Sequence, residues 1–120
     1  MLTSLHITDF TEEKGFIMKT LENSENKLEI LTLEGYFSLS EAAIRNLIYL
    51  KELYLDYGSY LTSKNLITLA ENCKLETLHA MVRCDDQTNE AFKTFLQAVE
   101  GKMKDLKIFH KMSFGISQNI

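Results

Sequence analysis

One phrase, L-x-x-L-x-L, returns along this chain at a near-constant interval, and no other feature restricts the fold as much. Its copies are Leu2, Leu5, Ile7; Leu28, Leu31, Leu33; Leu50, Leu53, Leu55; and Leu75, Leu78, Ala80. A degenerate fifth copy begins at Leu106 and Phe109, with Lys111 in the place of its third apolar residue. These five copies start 26, 22, 25 and 31 residues apart. A unit of that length holds one strand and one helix. It is too small to bury its apolar face alone and becomes stable by stacking on its neighbours.

The phrase has a simple physical reading. Its fourth and sixth residues lie two apart, so in a strand they point to one side, into a core. The first leucine anchors the turn into the strand, and the residues between face the other way. Helical patterns fill the intervals. Ile17 and Leu21 mark a helix near 12–24, and Ala43, Ile44, Leu47 and Ile48 a short one near 40–48. Leu66, Leu69, Ala70 and Cys73 fall at i, i+3, i+4 and i+7; Phe92, Phe95, Leu96, Val99 and Met103 do the same in a longer helix. Thr11, Ser40, Thr62 and Thr88 are expected N-caps, because a hydroxyl can accept from the free N–H groups of a first turn. No proline interrupts any of these segments.

Strand and helix therefore alternate four times before a last strand, which predicts an α/β chain with a parallel sheet. In a doubly wound sheet, central strands covered on both faces read as continuous apolar runs. Here His6, Thr32, Tyr54 and His79 stand between the leucines. Helices are thus expected on one face only, which predicts a curved solenoid: about five strands on the concave side and four helices on the convex side.

At residues 66–78 the chain reads L-I-T-L-A-E-N-C-K-L-E-T-L. This resembles the cysteine-containing, ribonuclease-inhibitor-like subclass of leucine-rich repeats, with its L-x-x-L-A-x-x-C followed by L-x-x-L, and Thr62 and Ser63 occupy its helix-start position. The subclass is typical of F-box leucine-rich-repeat proteins. The resemblance implies one leucine-rich-repeat domain over 1–120, with repeats starting near 2, 28, 50, 75 and 106. It also implies a protein-binding role, or service as the C-terminal part of a larger substrate-receptor array of a ubiquitin ligase. In this sequence only one repeat carries the helix-end cysteine. The polar residue that follows the strand in many relatives is replaced by Phe10, Tyr36, Gly58 and Arg83.

Composition narrows the function classes. Apolar residues make up 45% and charged residues 25% of the chain, the balance of a globular domain. With 13 basic and 17 acidic residues the net charge is −4, unlike a dedicated nucleic-acid binder. The one basic cluster, Lys102, Lys104, Lys107 and Lys111, is broken by Asp105 and reads as a solvated face. No apolar run reaches the roughly 20 residues of a bilayer span, and the start lacks a signal-peptide pattern. Two cysteines, Cys73 and Cys84, do not make a disulfide scaffold. The expectation is an intracellular protein, cytoplasmic or nuclear, that contacts neither nucleic acid nor membrane.

The candidate site is the uncovered strand face. The fifth position of the phrase forms a column of His6, Thr32, Tyr54, His79 and His110, with His79 and His110 expected on neighbouring strands. Glu34, Glu52 and Asp56 surround Tyr54, an arrangement suited to anchoring a basic peptide or protein patch. Two histidines fall short of the four ligands usual for tetrahedral zinc, so no metal is expected. Glu34 and Asp56 resemble an acid–base pair, but an open sheet supplies no cleft to position a substrate. Nucleophile elbows, dinucleotide-binding glycines and P-loops are absent, so no catalytic residue and no cofactor are expected. Cys73 fits a packing role at a helix end, and Cys84 a more exposed position. The first strand offers an open edge at Leu2, Leu5 and Ile7, which fits a longer array first, and otherwise end-to-end stacking of copies or a lone chain with an exposed, aggregation-prone edge. The last segment, with Phe114, Ile116 and Ile120, is expected to pack over the final turn.

Overall fold

The computed structural model describes residues 3–8, 19, 21–22, 27–35, 39–56, 59–72, 74–83, 86–111 and 117–119. Along the chain they form β1 (Ser4–Thr8), β2 (Ile30–Glu34), α1 (Glu41–Arg45), β3 (Glu52–Asp56), β4 (Tyr60–Leu61), α2 (Ser63–Asn72), β5 (Thr77–Arg83), α3 (Thr88–Val99), β6 (Asp105–Lys111) and β7 (Ser117–Asn119). The helix expected near 12–24 lies largely outside the described residues; within it, Lys19, Leu21 and Glu22 are helical. The fold is α/β, and β1 to β6 make one parallel sheet in chain order. Two strands were not expected from the repeat. β4 takes over from β3 beside the second half of β5, and β7 closes the far edge antiparallel to β6. The tail beyond Ser113 thus contributes a strand through 117–119; Phe114, Ile116 and Ile120 lie outside the described residues.

The same backbone joint connects successive strands. Thr3 O accepts from the N–H groups of Glu29 and Ile30 at 2.7 and 3.1 Å, and Glu29 O from Lys51 and Glu52 at 2.8 and 2.9 Å. Lys51 O accepts from Glu76 and Thr77 at 2.7 and 3.0 Å, and Glu76 O from Lys104 and Asp105 at 2.6 and 3.1 Å. One carbonyl satisfies two donors each time, which pins each strand against the last and stacks the leucines in register. Side chains at this joint alternate in sign. Lys51 Nζ lies 3.0 Å from Glu29, and Lys104 Nζ 2.8 Å from Glu76. The hydrogen bond from Lys104 and its charge hold Glu76 below the usual carboxylate range, and the bond to Glu29 raises Lys51.

That joint corrects the fifth repeat. Leu106 pairs with Leu78 and Ile108 with Ala80, so the phrase starts at Met103 and reads M-K-D-L-K-I, 28 residues after Leu75. A start at Leu106 would turn Lys111 toward the core. The observed register turns in Ile108, which is buried; an ammonium group in such a place would carry the cost of its desolvation. The shift also separates the two histidines expected together: His79 pairs with Lys107, and His110 stands opposite Val82.

Among the described residues the core is an apolar cluster between the sheet and the helices. Leu31, Leu33, Leu53 and Leu78 from the strands, Ile44 from α1, Leu66 from α2 and Phe95 from α3 are wholly buried. Ile48 and Leu96, expected inside, are 51% and 42% exposed. α1 ends at Arg45, so Ile48 lies beyond its apolar stripe, while Phe92, Phe95 and Val99 fill the inward face of α3 and leave Leu96 on its flank.

Two of the expected caps form. Ser40 Oγ accepts from Ala43 N–H at 3.2 Å. Thr62 and Asn65 bond reciprocally, Asn65 N–H to Thr62 Oγ1 at 3.1 Å and Thr62 N–H to Asn65 Oδ1 at 3.0 Å. Thr88 is instead the first residue of α3; it is buried, and its hydroxyl meets Ser63 Oγ at 3.2 Å. Gly101, at φ +76°, permits the reversal from α3 into β6. Thr11, Cys73 and Cys84 lie outside the described residues.

Candidate functional site

Because strand side chains alternate, the residues between the buried leucines all emerge on the face opposite the helices. The burial of β2 and β3 alternates accordingly. Parallel register then sets residues from distant repeats side by side. His6 lies beside Thr32, Thr32 beside Tyr54, and Tyr54 beside His79. The column ends on Lys107 and not on His110, whose expected place in it is thereby corrected.

Among the described residues, polar groups form at two places on this face. The first joins β1 to β2. Thr8 Oγ1 donates to Glu34 Oε2 at 3.0 Å, and His6 Nε2 lies 3.3 Å from Glu34 Oε1 and 3.3 Å from Thr8 Oγ1. Glu34 and Asp56 are register partners, as their spacing predicts, but both Glu34 oxygens are engaged across the other strand boundary. The sequence alone did not reveal Thr8 as the residue that holds Glu34.

The second group spans β3, β5 and β6. Tyr54 donates its hydroxyl proton to Glu52 Oε1 at 2.5 Å. The Tyr54 and His79 rings stand nearly perpendicular, 83° apart, with centroids separated by 5.1 Å, a favourable arrangement for aromatic rings. On its far side His79 Nε2 lies 2.8 Å from Asp105 Oδ2. The bond to Glu52 pushes the Tyr54 phenol up to about 12, aided by partial burial and by the charges of Glu52 and Asp105. Ionisation would break that bond and set two anions together. Asp105 and Lys107 were missed as site residues because both take their places only once the fifth phrase starts at Met103.

Of the expected residues, Glu52, Tyr54 and His79 are therefore joined, His6 and Glu34 are joined, and Thr32 stands between the two groups. At one end of the face the Arg83 guanidinium lies 5.4 Å from the centre of the Tyr60 ring, with Nη1 3.3 Å from its hydroxyl. The face thus presents an aromatic centre among the carboxylates of Glu34, Glu52, Asp56 and Asp105. Such a surface accepts hydrogen bonds and attracts cations. Among the described residues no group of three or more His, Cys, Asp or Glu could hold a metal ion, and no helix is long and apolar enough to cross a membrane. No protein-family model, curated protein or solved structure matches the chain.

Proposed function

We propose that this chain is a leucine-rich-repeat solenoid whose open strand face binds a basic segment of a protein partner. The strand order that follows the chain and the backbone joint repeated at each step support the solenoid reading. The observation that carries the binding role is the Tyr54 cluster. A half-buried aromatic ring, held by Glu52 and packed on His79, needs little further ordering to receive a ligand, and preorganised anchors of this kind dominate interface energies. Lysine or arginine side chains of the partner would pair with Glu34, Asp56 and Asp105. The role is binding, without chemistry or cofactor, in the cytoplasm or nucleus. A fluorescein-labelled peptide rich in lysine and arginine tests it by anisotropy. Tyr54→Ala should weaken binding by about 2 kcal/mol, the size of an interface hot spot. Equal binding by Tyr54→Ala and the parent chain would overturn the proposal.

A second reading, in which the chain works within a larger array such as an F-box-type receptor or stacks end to end, is favoured by one observation. β1 is the outer strand of the sheet, and its Leu5 and Ile7 are only half-buried where Leu31 and Leu33 are wholly buried. Another repeat or another copy would cover them. Light scattering across a concentration series tests self-association, which Ile7→Glu should abolish.

A further inference from the structure

At the edge where the strands begin, away from the polar face, lies a cleft of about 800 Å³ lined by Ile48, Tyr49, Leu75, Lys51, Lys74, Lys102 and Glu76. We propose that this cleft is a second binding site, for an acidic peptide segment that carries a large apolar side chain.

Its apolar part is unusual for this chain. Ile48 and Tyr49 are each 51% exposed, and among the described residues the only other exposed large apolar side chain is Leu96, on α3. Two adjacent apolar side chains left in solvent beside the buried Leu75 form a small apolar floor. A volume of this size suits a few side chains of a ligand.

The charges around that floor specify the ligand further. Lys51 is paired with Glu29, and Glu76 with Lys104, so those charges are already balanced. Lys74 and Lys102 have no carboxylate among the described residues within ion-pairing distance. They occupy equivalent places on neighbouring repeats, each one residue before the first leucine position, Leu75 and Met103. Both line the same cleft, so one anionic segment can meet two ammonium groups there. A carboxylate between them would receive charge-assisted hydrogen bonds from both. A chain of net charge −4 thus keeps, among the described residues, two lysines without an ion-pair partner beside its exposed apolar residues. Glu76 within the cleft and Glu29 beside it disfavour a broad anionic surface such as a membrane. A narrow segment can place its acids on Lys74 and Lys102 and its apolar side chain against Ile48 and Tyr49. The site does not depend on the reading of the sheet face, which has the opposite charge.

The test is an anisotropy titration with a fluorescein-labelled synthetic peptide, a Leu-Phe pair flanked on both sides by Asp and Glu. Its control replaces the acids by Asn and Gln. The acidic peptide should bind saturably and the control should not. Lys74→Glu combined with Lys102→Glu should weaken binding about tenfold or more and remove most of its salt dependence. Ile48→Ser should weaken it comparably. Lys64→Glu, at the start of α2 and so at the opposite edge of the sheet, should change nothing. These side chains are exposed, and circular dichroism melts confirm that each variant folds. The proposal is overturned if the acidic peptide does not bind saturably, or if the double reversal binds it as well as the parent chain. It is also overturned if phosphatidylserine vesicles sediment the parent chain, but not the double reversal, while the peptide stays free.

Discussion

Tyr54 and His79 come from repeats 25 residues apart, yet their rings meet at 5.1 Å and at nearly a right angle. The contact connects Glu52 to Asp105 through two aromatic side chains and makes three strands one polar unit. It is the structural reason to place the centre of the candidate face at Tyr54.

The first prediction concerns the Tyr54 proton. Its pKa is raised to about 12 from the ordinary 10.0, chiefly by the bond to Glu52. A raised pKa means that the folded state holds the proton more tightly. The associated stability is complete below pH 10 and is lost as the pH rises through about 12. A phenolate absorbance titration should show a late-ionising tyrosine that disappears in Tyr54→Phe. In Glu52→Gln the same tyrosine should ionise earlier. Unchanged late ionisation in Glu52→Gln would show that the bond is not its main cause.

The register of β6 can be tested by stability. Ile108 is buried opposite Ala80, so Ile108→Ala should cost about 3 kcal/mol, in the range for emptying a core site. Were the fifth phrase to start at Leu106, Ile108 would lie at the surface and the change would cost under about 0.5 kcal/mol. Urea denaturation separates the two values.

Glu41 connects α1 to α2. Its carboxylate accepts from Asn65 Nδ2 at 2.8 Å and from the Thr68 hydroxyl, and Asn65 and Thr68 are both buried. Glu41→Ala leaves the buried Asn65 amide without that acceptor, while the Thr68 hydroxyl keeps Lys64 O at 3.1 Å, at an expected cost of about 2 kcal/mol. Glu41→Gln keeps one acceptor oxygen and should recover part of the loss in the same urea titration.

The sheet should weaken toward β1. Leu33 is wholly buried and its register partner Ile7 only half so. Leu33→Ala should cost about 3 kcal/mol and Ile7→Ala about 1 kcal/mol. Equal costs in dilute protein would mean that the edge of β1 is covered.

Much of the core is legible in the amino-acid sequence. Leu28, Leu31, Leu33, Leu50, Leu53, Leu55, Leu75 and Leu78 are all buried, as their phrase predicts, because period-two alternation is a local property of a strand. Ser40 and Thr62 cap as expected for the same reason: each bonds a group three residues away. Ile48 and Leu96 mislead because apolar spacing marks a helical stripe without showing where the helix stops or how wide its partner is. On the candidate face, Glu52, Tyr54, His79 and Thr8 are legible through their place in the repeat, whereas Asp105 and Lys107 are not, and neither is the bond from Thr8 to Glu34. The pairing of His79 with His110 fails because Leu106 and Phe109 imitate the opening of the phrase. Which of the two possible starts folds is decided by what each would bury.

The sequence by itself determined the alternation of strand and helix, the parallel direction of the strands and the side of each strand that faces the core. These follow from spacings of two to seven residues, over which backbone geometry dictates where a side chain points. The tertiary structure decided which residues of different repeats touch: Tyr54 with His79, His79 with Asp105, Glu41 with Asn65, and the lysines with the cleft beside Ile48. Those contacts depend on the register between strands, which the shared carbonyls at Thr3, Glu29, Lys51 and Glu76 set. At β6 the register puts Ile108 in the core, where a start at Leu106 would carry the cost of burying a lysine. That cost does not exist until the neighbouring strand and helix have closed the core around the site.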